Sequence, residues 1–154
     1  MTTVHEPDVG DLHDLDRFVL AQIGVYEGAL AEMEEGKKRS HWMWFVFPQI
    51  AGLGQSEIAR EYALSGLEEA RAYLEHPVLG VRLIEIAQIV LHIEGSTARK
   101  IFGSPDDMKL HSSATLFAQV SGRSSVFHQL LERFFQGEPD ERTIELLMEM
   151  QGGE

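Results

Sequence analysis

The sequence predicts one all-α domain of about seven or eight helices. Three observations carry that expectation. Apolar residues recur at three- and four-residue spacing along most of the chain. Helix start and stop signals punctuate it at regular intervals. The chain has 154 residues, 44% hydrophobic and 25% charged, which is the composition and size of one globular domain that folds without disulfide or metal.

The elements follow in order. An acidic tail is expected over 1–11 and the domain over 12–151. Leu12, Leu15, Phe18, Val19, Gln22, Tyr26, Leu30 and Met33 define a first amphipathic helix stopped at Gly36. Gly24 and Gly28 inside it read as a site of close helix packing. Trp42 to Phe47, closed by Pro48, reads as a short helix or a buried strand and is too short for periodicity to settle. Ser56 caps a short helix through Leu64. Ser65-Gly66-Leu67-Glu68 is a capping box opening a helix that ends near His76. Pro77 suits the first turn of the next, and Val78 to Ile93 is apolar almost all round, as a central helix would be. Ser104-Pro105-Asp106-Asp107 starts a helix with Leu110, Ala114 and Phe117 on its buried face. Ser124 or Ser125 caps one carrying Phe127, Leu130, Leu131, Phe134 and Phe135, stopped at Gly137. Pro139 opens a last helix with Ile144, Leu147 and Met148 inward. No sheet beyond an incidental pair is expected.

Charge and composition narrow the function. With 25 acidic against 13 basic residues the net charge is −12, which opposes nucleic acid and anionic membrane as partners. No cysteine is present, so thiolate catalysis, Cys-ligated zinc and iron–sulfur clusters are excluded. No signal peptide or membrane span is read, and a cytoplasmic protein is expected. The stretch Gly52-Leu53-Gly54-Gln55-Ser56-Glu57 fails as a dinucleotide loop, and phosphate-loop, zinc-protease, EF-hand and nucleophile-elbow patterns are missing. His92-Ile93-Glu94 lacks the cysteines of a zinc deaminase and reads as a packed or capping histidine. No cofactor and no metal are implied. The oligomeric state is not legible.

One segment stands out. Ser40-His41-Trp42-Met43-Trp44-Phe45-Val46-Phe47-Pro48-Gln49 holds both tryptophans and follows Lys37, Lys38 and Arg39, the one cluster of three bases. Phe45 and Phe47 read as core. His41, Gln49 and the indole N–H groups need partners if buried, and such a mixture also suits a small-molecule pocket. If the segment is helical, Trp42 and Trp44 lie about 200° apart, one toward the core and one toward a groove or solvent. Lys109 has Asp106, Ser112 and Ser113 on its own helix face. A lysine among hydroxyls can hold a phosphate or carboxylate, or simply pair with its aspartate.

Ser40 to Gln49 also resembles a known family, as do Gly52-Leu53-Gly54-Gln55-Ser56, Ala59 to Tyr62, Ala70 to Leu83 and Asp106 to Phe117. Phe127, Phe134 and Asp140 to Thr143 continue the match. The resemblance is to the bacterial domain-of-unknown-function family numbered 1810, which sometimes carries a calpastatin-like label. It implies a mainly α-helical single domain and implies no activity. The label would imply protease inhibition, but calpastatin is a long disordered repeat protein, and this composition is compact.

Three function classes follow. The first is a protein binding an anionic, ring-bearing small molecule between the His41–Gln49 segment and the Lys109–Thr115 helix. Its site would draw on His41, Trp42, Trp44, Gln49, Lys109, Ser112, Ser113 and Thr115. Were it an enzyme, His41 is the best general acid or base. The second is an interaction module, and the third a structural domain whose distinctive residues form the core.

Overall fold

The first expected helix is two helices, because Gly24 takes a left-handed φ of +72°, which an L side chain rarely adopts. A computed structural model describes residues 13–152; Leu12 and the expected tail lie outside them. Before Gly24 runs α1 (Asp16–Gln22) and after it α2 (Tyr26–Glu34). A Cβ built on Gly24 or Gly28 would meet nothing within 4 Å, so neither marks close helix packing.

The aromatic run is a short helix, α3 (Met43–Val46), with Trp42 as its N-cap. Next come α4 (Glu57–Glu61), where Ser56 accepts from the Ala59 N–H, and α5 (Leu67–Glu75). Helix α6 (Leu79–Leu91) leads to α7 (Ala98–Phe102), capped by Thr97, which accepts from the Lys100 N–H at 3.1 Å. The chain continues through α8 (Asp106–Ala118), α9 (Val126–Phe135) and α10 (Glu141–Gly152). The described residues therefore hold ten helices. The expected seven or eight is corrected by the break at Gly24 and by α7, which is too short to show a period. The all-α class stands, and an isolated bridge between Ile50 and Leu64 is the one strand-like pairing among the described residues.

Several boundaries shift by a residue or two. Gly66, not Ser65, is the N-cap of α5, and Glu69 rather than Glu68 reaches back to accept from the Ser65 N–H at 2.8 Å. Asp106 begins α8, with Pro105 and not Ser104 at its N-cap. Asp140 caps α10 by accepting from the Thr143 N–H and hydroxyl at 3.0 and 2.6 Å, so the helix starts two residues after Pro139. Thr143, Leu146 and Leu147 form its buried face, and Met148 is exposed. Ser125 caps α9, and Gln136 and Gly137, both at positive φ, end it.

The central helix is α8, not α6. Helix α8 packs on α5, α7, α9 and α10, and every residue from Ser112 to Ala118 is buried. Its polarity does not prevent this, because two of its three hydroxyls bond to its own backbone. Ser112 donates to the Lys109 carbonyl at 3.1 Å and Thr115 to the His111 carbonyl at 2.8 Å. Helix α6 buries Leu83, Ile86 and Val90 against its neighbours but leaves Val81 64% exposed. No helix among the described residues is long and apolar enough to cross a membrane.

Candidate functional site

The segment after α2 is tied down by two charged groups. Glu32 Oε1 accepts from the Arg39 N–H at 2.8 Å, the Ser40 N–H at 3.1 Å and the Trp42 indole N–H at 2.9 Å. Its other carboxylate oxygen accepts from the Ser40 hydroxyl. Desolvation pushes this carboxyl up, but the bonds from Ser40, Arg39 and Trp42 outweigh it and bring Glu32 down to about 2 from the ordinary 4.5. A depressed carboxyl stabilises the fold above its unfolded pKa, and the contribution is lost as pH falls from 4.5 through about 2. Glu32→Gln is expected to lower stability at neutral pH by about 1–2 kcal/mol, below the full range for charged hydrogen bonds because the site is partly exposed. Urea midpoints at neutral pH and near pH 3 check this: the gap to wild type should narrow in acid.

Lys38 is the second tie. Its side chain is only 6% exposed, and Nζ lies 2.7 Å from Asp106 Oδ2 and 5.1 Å above the Trp42 ring. Asp106 turns its other oxygen to Lys109 Nζ at 3.2 Å, and Lys109 lies 4.6 Å above the Trp44 ring. One carboxylate thus sits between two ammonium groups, each resting on a tryptophan face. The tryptophans are unequal. Trp42 is buried, whereas Trp44 is half-buried with one face covered by Lys109.

Beside Lys109 lies a cleft of about 350 Å³. Its lining comes from three places in the chain: Gln49, Leu53 and Gly54 in the turn after α3, Pro105, Met108, Lys109 and Ser112 at and after the start of α8, and Asp140 and Arg142 at the start of α10. Gln49 donates from Nε2 to the Ser112 hydroxyl at 2.6 Å. Asp140 Oδ2 is occupied by Thr143, and Arg142 pairs with Glu145 at 3.1 Å and Glu149 at 3.5 Å. A hollow of similar size between α5 and α10 has His13 as its one basic side chain. A smaller one lined by Arg82 also carries Glu27.

The structure thus brings Gln49, Lys109 and Ser112 together. His41 is exposed and is not among the residues lining the cleft. Trp42 faces the core, and Trp44 reaches the site only through Lys109. Ser113 is buried without a hydrogen-bond partner. Thr115 accepts from the Asp140 N–H at 2.8 Å, which joins α8 to the start of α10. The sequence reading did not assign Leu53, Pro105, Met108, Asp140 or Arg142 to a site. Only Asp140 carried a signal, the three-residue cap spacing to Thr143.

Three further histidines serve the backbone. His76 Nδ1 accepts from the Val78 and Leu79 N–H groups at the start of α6. His92 donates to the Gln88 carbonyl at 2.7 Å, as a capping histidine. His111 donates to the Glu138 carbonyl and stacks on Phe135. Among the described residues no group of three or more His, Asp or Glu is placed to hold a metal.

Comparison with known proteins gives two matches. Residues 12–147 match the family described as "Protein of unknown function (DUF1810)". The crystal structure of the conserved hypothetical protein Rv1873 from Mycobacterium tuberculosis is similar, with a TM-score of 0.88 and 49% sequence identity. That match covers 90% of this chain and 99% of the other. No curated protein matches.

Proposed function

This chain belongs to the DUF1810 family, whose description assigns no activity, and from its own geometry we propose that it binds a small anionic molecule in the cleft beside Lys109. The observation that carries this reading is the sharing of Asp106. Lys38 is enclosed and holds one carboxylate oxygen, so the single negative charge serves two cations. Lys109, at the cleft, keeps positive charge to offer in a protein of net charge −12. Gln49 and Ser112, fixed to each other, add polar groups that orient a ligand. Asp140 is also in the lining and repels an anion, so Lys109 is the group that anchors one.

The cleft predicts a binding defect separable from stability. Lys109→Ala removes a pair whose members are each about one-fifth exposed, so stability should change by about 1 kcal/mol or less. Binding should weaken by roughly 1.5–3 kcal/mol, the loss of a charge-assisted contact. Asp140→Asn keeps the helix cap and removes a like charge, so it should tighten binding severalfold. A thermal-shift screen with AMP, glucose 6-phosphate, citrate and inorganic phosphate, followed by titration of the hits, checks both. Hits whose affinity ignores Lys109→Ala, or no hit at all, would sink the reading.

The other half of the aromatic motif supports a different role. Ser40 and Trp42 spend their donors on Glu32, so this half reads as a staple joining α2 to α3 without any ligand.

A further inference from the structure

We infer that the anion taken by this cleft carries an aliphatic chain, so that the ligand class is the medium-length aliphatic monocarboxylates; this rests on the anion-binding reading above. The cleft sets one cationic corner against an apolar wall. Lys109 supplies the corner, while Leu53, Pro105 and Met108 supply aliphatic, pyrrolidine and thioether surface.

The wall is held in place by close backbone contacts. A Cβ on Gly52 would come within 3.0 Å of Leu146 on α10, and one on Gly54 within 2.4 Å of the Ala59 Cβ on α4. The turn is therefore seated on both sides of Leu53. A turn tip ordinarily carries polar residues; this one presents leucine to the cleft. Met108, beside Lys109 in the chain, is 65% exposed, and a flexible thioether adapts to an apolar chain laid against it.

Ring-bearing ligands fit less well, because no aromatic face lines the cleft. Trp42, Phe45 and Phe47 are core residues, and Lys109 covers Trp44. Arg142 is committed to Glu145 and Glu149, which leaves Lys109 as the anchor for one carboxylate.

The test titrates the full chain with acetate, butyrate, hexanoate, octanoate and inorganic phosphate by calorimetry, following tryptophan fluorescence in parallel because Lys109 rests on Trp44. Affinity should rise about two- to fourfold per added methylene, the upper figure being full burial. Met108→Gln and Leu53→Ser should flatten that slope and leave phosphate binding unchanged. Lys109→Ala should weaken every member. A flat slope with binding still dependent on Lys109 overturns the aliphatic inference and leaves the anion site standing. A rising slope that survives Lys109→Ala, or no binding by any probe, overturns both.

Discussion

Gly80→Ala is expected to destabilise this protein by roughly 3 kcal/mol or more, at the top of the range for overpacking. Gly80 lies in the first turn of α6, where α6 folds back on the end of α5. A Cβ built there would lie 1.9 Å from the Leu74 carbonyl oxygen and 2.7 Å from its carbon. Those atoms are backbone, so no rotamer change relieves the clash. The turn at His76 to Val78 would have to open, and with it the bonds from the Val78 and Leu79 N–H groups to His76. In a domain this size the melting temperature should fall by about 6–12 °C. Thermal unfolding followed by circular dichroism measures it, and a midpoint within about a degree of wild type would mean that the Leu74 carbonyl leaves room for a methyl group at residue 80.

Arg17→Met should destabilise by about 3–5 kcal/mol, because it leaves a buried carboxylate without its cation. Arg17 Nη1 lies 3.0 Å from Glu69 Oε2, whose side chain is 4% exposed. That oxygen makes no aligned hydrogen bond, so charge more than direction holds the pair. The guanidinium also donates to backbone through all three of its nitrogens. It donates to the carbonyls of His13 at 2.6 Å, Asp14 at 3.0 Å, Glu61 at 2.8 Å and Ala63 at 2.9 Å. Arg17 thus ties α1 to the segment between α4 and α5. Lysine cannot replace it, since an ammonium lacks the planar fork needed for so many acceptors. A double variant, Arg17→Met with Glu69→Gln, should lose less than the sum of the single losses. Denaturant unfolding of the four proteins gives the coupling, and simple additivity would mean that the pair does not interact.

Both positions differ in how far the sequence announced them. Gly80 stood in a stretch resembling the family pattern, yet its reason, the Leu74 carbonyl, lies on another helix. Arg17 is the one lysine or arginine among residues 1–36, against nine acids, and that contrast does not name its partner. The local signals fared better. Ser56 and Ser125 cap the helices they were expected to cap, and His92 caps α6. Signals that depend on a neighbour went astray: the apolar α6 was expected at the centre, but α8 holds it.

Sequence alone determined the helical class, because a 3.6-residue apolar period and a side-chain cap are properties of one stretch of backbone. It also determined the unequal fates of Trp42 and Trp44 once that stretch was helical. Tertiary structure decided the rest. Gln49, Lys109 and Arg142 line one cleft only because the turn after α3, the start of α8 and the start of α10 pack together. Their spacing along the chain contains no period that could report it. Asp106 and Lys109 pair by their three-residue helix spacing, which the sequence shows, but Lys38 reaches Asp106 only across the fold. Coulomb energy falls with separation in space, and sequence separation does not enter it.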